Sequence, residues 1–260
     1  MNSPEIVHAR NAPEWMLVPY VDDGYRIRHS VKDTVKSLFY FHGETLNVWS
    51  HLLGFLWFLS IIPTTLATLN KNDDATKLEY AAFACFISCG LFQMASSAVY
   101  HLFLCVNENV ANILLIIDLA GIAAMIVGCL LIASILGMTD APFVALFYLT
   151  LQLCLLSVAL SKAVASQSLE TYHTIVASSF ALGVVQCCHM LRLQNSQCSQ
   201  IFAPGVYETF LYYVVGFAFY KSRFPECIMP SVIKSHTIWH AFILLGGRSW
   251  TLTMLLMLNC

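Results

Sequence analysis

The stretch VANILLIIDLAGIAAMIVGCLLIASILG, residues 110–137, decides how this chain is read. A helix crossing the hydrocarbon core of a bilayer needs about 20 largely apolar residues. This run exceeds that length and carries one charged side chain, Asp118. A carboxylate in lipid is costly, and by default it marks a functional site.

Working outward from this run, six further apolar stretches follow the same rule: Leu46–Leu69, Leu78–Leu104, Ala141–Leu160, His173–Leu191, Pro204–Tyr220 and His236–Leu258. The span that starts at Pro204 is short, and the last is interrupted by Gly246, Gly247 and Arg248. Polar separators such as Asn70-Lys71-Asn72-Asp73-Asp74 lie between them. Of the 260 residues, 58% are hydrophobic and 11% charged, whereas soluble domains carry roughly 25% charged residues. The solvent for most of the chain is therefore lipid. The net charge of -2 is spread without a basic face, so no nucleic-acid partner is expected. The predicted fold is all-α: a seven-transmembrane helix bundle over residues 46–258, preceded by an N-terminal segment, 1–45. The polar first 30 residues offer no signal peptide, and Cys198 and Cys260 could pair if both face outside.

Within the N-terminal segment, Val31, Val35, Leu38 and Phe39 recur at helical spacing among Lys32, Asp33 and Lys36. The pattern fits a short amphipathic helix, lying on the membrane surface or packed under the bundle. Seven spans place the N-terminus and the second, fourth and sixth loops on one side. That side carries nine Lys and Arg (Arg10, Arg26, Arg28, Lys32, Lys36, Lys162, Lys221, Arg223, Lys234) against four on the other. Positive loops prefer the cytoplasm, so the N-terminus is expected inside and the C-terminus outside.

With that orientation the ionisable residues of the spans fall at one depth, in the cytoplasmic leaflet. His101 lies three residues before Leu104, and Asp118 lies roughly 12 Å into its helix at 1.5 Å per residue. His236 and His240 occupy the first turns of the last span, and Glu44, Asn47 and His51 open the first. Residues i and i+4 share a helix face, so His236 and His240 can reach one metal ion, and Ser97 sits on the face of His101. His101, a third intramembrane histidine, and Asp118 at the same depth strengthen that signal. Three histidines leave a tetrahedral position open, as catalytic zinc sites do.

In order, the chain reads Gly24-Tyr25-Arg26, Glu44-x-x-Asn47-x-x-x-His51, Ser97-x-x-x-His101, Asp118-x-x-Gly121-Ile122 and Ser235-His236-x-x-x-His240. This resembles the progestin and adipoQ receptor family, which also includes bacterial hemolysin III-like proteins. The resemblance runs from about Gly24 to His240, most of the chain. It departs at Leu119, where members usually carry an aromatic residue. It implies a seven-helix receptor with a cytoplasmic N-terminus and an intramembrane Zn2+ held by His101, His236 and His240. Asp118 would hold or activate a water molecule at the metal, Ser97 would support it, and Glu44, Asn47 and His51 would pack and hydrogen-bond around the site.

Asp118 and Ser97 are thus the candidate catalytic residues, Asp118 as general base. The activity implied is ceramidase-like hydrolysis of an amide-linked lipid, with membrane lipids as partners: a ceramide-like substrate and a free fatty acid. Two other readings stay open: a receptor for an extracellular protein or steroid ligand in which zinc is purely structural, and a transporter that uses Asp118 and the histidines as a relay. The expected location is a multi-pass position in the plasma membrane or an endomembrane.

Overall fold

The computed structural model describes residues 5–27, 30–166, 169–193, 196–229 and 233–258. Arg28, His29 and Cys260, and with Cys260 the Cys198–Cys260 pairing, lie outside these residues.

The chain is all-α over most of its length. A six-residue helix, α1 (Val31–Lys36), is followed by α2 (Thr45–Ser60), α3 (Ile62–Lys71), α4 (Lys77–Phe103), α5 (Glu108–Gly137), α6 (Pro142–Ser166), α7 (Leu169–Leu193), α8 (Ser196–Ser222) and α9 (Ser235–Met257). Together α2 and α3 make one apolar stretch, Thr45–Lys71. It is broken at Ile61 because Pro63 enters the first turn of α3 without an N–H to continue the helix. With that pair counted once, six helices among the described residues are long and apolar enough to cross a membrane. The seventh, α9, has 23 residues, about 34 Å at 1.5 Å per residue. Its His236, His240, Arg248, Ser249, Thr251 and Thr253 keep it polar.

Large apolar side chains such as Phe143, Phe147, Leu211, Val214 and Leu256 are exposed on these helices. Water would not tolerate so many, whereas lipid requires them. The protein is a multi-pass integral membrane protein.

Three local features differ from the sequence reading. The sixth span read as short, but α8 runs unbroken through Pro204 from Ser196 to Ser222. The polar start of α8 lowers its hydropathy without preventing a helix. Gly246-Gly247-Arg248 does not interrupt α9, since glycine in a helix costs only about 1 kcal/mol relative to alanine. The N-terminal segment also contains a two-stranded antiparallel sheet, β1 (Glu5–Val7) and β2 (Tyr25–Ile27), with Ile6 opposite Arg26. Strands of three residues are too short to show a period in sequence.

Internal contacts divide the chain into two compact units: Met1–Phe55, Met94–Asp118 and Tyr212–Leu244 in the first, and Leu56–Gln93, Leu119–Leu211 and Leu245–Cys260 in the second. The second is built on α5, α6 and α7 with buried polar ties. Gln186 donates to the Ser134 hydroxyl at 2.7 Å, Gln152 to the Ser179 carbonyl at 2.8 Å, and the Tyr172 hydroxyl to the Leu119 carbonyl at 2.6 Å. In lipid such bonds hold helices together where apolar contact alone does not discriminate.

In the first unit the N-terminal segment packs Met16, Val21 and Tyr25 against Cys105, just past α4. Gly24 has φ +93°, and a Cβ there would lie 2.7 Å from the Gly43 nitrogen. Only glycine lets this turn lie directly on the turn before α2, where the Gly43 N–H donates to the Gly24 carbonyl at 2.9 Å.

The α1 segment is turned opposite to a simple amphipathic packing. Thr34 and Ser37 are fully buried, whereas Val31, Val35 and Phe39 are exposed. Of the two placements open from sequence, burial of the apolar stripe under the bundle is not what the fold adopts. Polar residues make the inward contacts, because a buried guanidinium, that of Arg26, waits beneath them and donates to the Ser37 hydroxyl at 2.6 Å.

Candidate metal centre

The site candidates read from sequence, Glu44, Asn47, His51, Ser97, His101, Asp118, His236 and His240, lie in the first unit. His101 closes α4, while His236 and His240 sit one turn apart at the start of α9. Glu44 immediately precedes α2, which carries Asn47, Ser50 and His51. At Gly54, one turn on, a Cβ would meet the Met94 sulfur at 2.5 Å. The missing side chain lets α2 approach α4.

Ring nitrogens of His101, His236 and His240 converge within 4.8 Å of one another. The Nε2 atoms of His236 and His101 are 3.3 Å apart, and those of His240 and His236 are 3.0 Å apart. Ligand nitrogens at about 2.0–2.1 Å from a tetrahedral zinc lie about 3.3 Å from each other.

The outer ring atoms fix the protonation of two of the rings. The Glu44 carboxylate accepts from His101 Nδ1 at 2.8 Å. A carboxylate supplies only acceptors, so His101 Nδ1 carries the proton and Nε2 presents a lone pair. Ser50 gives its one hydroxyl proton to the Asn47 carbonyl at 2.9 Å. It therefore accepts from His240 Nδ1 at 3.3 Å, and His240 Nε2 presents a lone pair as well. Two lone pairs pointed at a common place beside a third imidazole are the donor set that a metal ion needs. The three histidines fit a metal ion and could hold one.

Support reaches past the ligands. The Asn47 amide donates to the Glu44 carboxylate at 2.7 Å and accepts from the Thr237 hydroxyl at 2.6 Å. One chain of bonds thus joins α9, α2 and α4, which explains why Glu44 and Asn47 share a helical face. Burial pushes the Glu44 pKa up, but hydrogen bonds from His101 and Asn47 and the Lys234 ammonium outweigh it and hold the carboxyl well below its usual range. Glu44 is ionised at neutral pH. Lys234 donates to the Gly43 carbonyl at 3.0 Å. Arg26, 2% exposed, donates to the His101 carbonyl at 2.7 Å and pins the end of α4. Glu226 accepts from the Ser235 hydroxyl and, at 2.7 Å, from the Ser235 N–H, fixing the start of α9.

Carboxylates that orient metal-bound histidines tune affinity as well as geometry. Glu44→Gln is expected to weaken metal binding about 10–100-fold, measured by chelator competition.

Asp118 lies on α5, and its carboxylate is hydrogen-bonded to the buried Ser97. It is not among the atoms converging within 4.8 Å. His51 is buried, with its ring edge-on to that of His240 at 4.0 Å between centroids. Glu208, His189 and Gln186 belong to the second unit. Glu208 accepts from the Ser249 hydroxyl at 2.6 Å, and His189 meets the Tyr148 hydroxyl at 3.3 Å.

The roles of Ser50, Thr237, Glu226, Lys234 and Arg26 escaped the sequence reading. Ser50 stood three residues from Asn47 and one before His51, a weak signal. Thr237, Lys234 and Arg26 make contacts with elements distant in sequence, and Glu226 reaches Ser235, nine residues on, with no periodic pattern.

The sequence pattern of the haemolysin-III related family matches residues 39–250. Heptahelical transmembrane protein 1 of Arabidopsis thaliana is 29% identical over 279 residues, covering 100% of this chain and 83% of that protein. Progestin and adipoQ receptor family member 3 of Mus musculus is 28% identical over 245 residues, covering 89% and 79%. Heptahelical transmembrane protein 3 of Arabidopsis thaliana is 28% identical over 287 residues, covering 92% and 83%.

Proposed function

The chain belongs to the haemolysin-III related family, and on that premise we propose that it is a seven-helix receptor that holds zinc on His101, His236 and His240 and hydrolyses an amide-linked lipid of the ceramide type. The observation that carries this reading is the convergence of three imidazoles with Glu44 and Ser50 behind two of them. Imidazole suits zinc among the available divalent metals, and three protein ligands leave the open position of a catalytic site. The positive-inside count supports a site in the cytoplasmic leaflet, within lateral reach of lipid.

Zinc held by His101, His236 and His240 would supply Lewis acidity, polarising a carbonyl and lowering the pKa of water to about 7. The protein's own residues do the rest. Glu44 and Ser50 hold His101 and His240 by their Nδ1 atoms. Asp118, steadied by Ser97, takes a proton from the attacking water. The water oxygen bonds to the amide carbon and the carbon–nitrogen bond breaks. Asp118 returns the proton to the departing nitrogen, leaving a fatty acid and a free amine.

A second reading is favoured by one observation: the Asp118 carboxylate stands outside the converging group. Zinc would then tie α4 to α9 in a receptor without turnover, contributing folding energy. Purified zinc-loaded protein in mixed micelles is expected to release fatty acid from ceramide, to stop when zinc is chelated, and to recover when zinc is restored. Full zinc occupancy without release from ceramide of any chain length overturns the hydrolase reading and leaves the structural one.

A further inference from the structure

Four histidines crowd this place, and the fourth, expected to hydrogen-bond around the site, makes no side-chain hydrogen bond among the described residues. His51 is 4% exposed and packs edge-on against the His240 ring. It lies within electrostatic range of His101 and His236 as well. Neither of its ring nitrogens has a hydrogen-bond partner among the described residues. Its neighbours on α2 differ: Asn47 uses its amide at both ends, and Ser50 both donates and accepts.

A buried polar group without a partner is costly, and here there are two on one ring. Nor is His51 a fourth converging ligand, because the group within 4.8 Å comprises only His101, His236 and His240. Two of those rings have no N–H to spare: His101 commits its own to Glu44, and His240 commits its own to Ser50. His51 is thus a ring beside the site whose N–H is uncommitted. A neutral imidazole offers one donor and one acceptor.

We propose that His51 is a ligand-binding residue whose N–H donates to an anionic oxygen, such as that of a carboxylate, occupying the position that the three histidines leave open. The inference rests on the metal reading above. It assigns the discrimination between ligands to α2 rather than to the metal: an oxygen anion gains a charge-assisted hydrogen bond from His51, whereas a ligand without an acceptor leaves the imidazole unpaired.

The test uses the purified full chain loaded with cobalt(II), whose visible spectrum reports the coordination sphere, titrated with acetate. In the parent, acetate is expected to shift the spectrum. His51→Phe is expected to keep about one cobalt per chain and to bind acetate about tenfold more weakly or worse. His51→Gln, which retains a donor, recovers part of the affinity. Unchanged acetate affinity in a metal-loaded His51→Phe overturns the proposal, as does a parent spectrum indifferent to acetate. Loss of metal from both His51 variants also overturns it, since His51 would then hold the ion or the fold. A parent that binds neither cobalt nor zinc overturns the metal reading itself, and this is seen before any His51 variant is made.

Discussion

His236→Ala is expected to strip the metal from the purified protein, from about one ion per chain in the parent to almost none. His236 is the middle of the three, with its Nε2 at 3.3 Å from that of His101 and 3.0 Å from that of His240. Its removal leaves two imidazoles on different helices, α4 and α9. Metal-binding energy in such a site is also folding energy. The parent should therefore melt at lower temperature with chelator present, and the variant should melt there with or without it. Ser50→Ala, which only frees the far side of His240, should lose less metal. Elemental analysis beside thermal melts reads both effects. A folded His236→Ala protein with parental metal content would remove these histidines from the site.

Asp118→Asn is expected to retain the metal and to lower ceramide hydrolysis by about 10²–10⁴-fold, the usual contribution of a general base. At 1.36 kcal/mol per decade that is about 3–5 kcal/mol of barrier. Asparagine has nearly the same shape and still accepts from Ser97, so the fold and the bond to α4 persist while the proton acceptor is gone. Ser97→Ala should fall between the parent and Asp118→Asn, because it leaves the carboxylate in place but unsteadied. Fatty-acid release at saturating lipid, normalised to bound zinc, is the measurement. Turnover unchanged in metal-loaded Asp118→Asn would assign Asp118 to structure and favour the receptor with a purely structural ion.

Much of the architecture was legible in the chain itself because lipid makes it local. In a bilayer each span must satisfy its own backbone hydrogen bonds, so a long apolar run such as 110–137 becomes a helix whatever its neighbours. One-face spacing is local too, which is why His236 with His240, and Glu44 with Asn47, could be paired from numbers alone. Hydropathy said less about α9, whose first turns carry the site's histidines, and about α8, whose polar first turn is helical all the same. What only the tertiary structure decided were partnerships across elements: Glu44 behind His101, Ser50 behind His240, Arg26 on the end of α4, and Glu226 at the start of α9. It also decided that α1 turns Thr34 and Ser37 inward and its apolar residues outward, and that His51 stands beside the converging rings rather than among them. A hydrogen bond depends on distances of about 3 Å and on angle. Spacing along one helix fixes which face a side chain leaves from, and only the packing of the helices fixes what it meets.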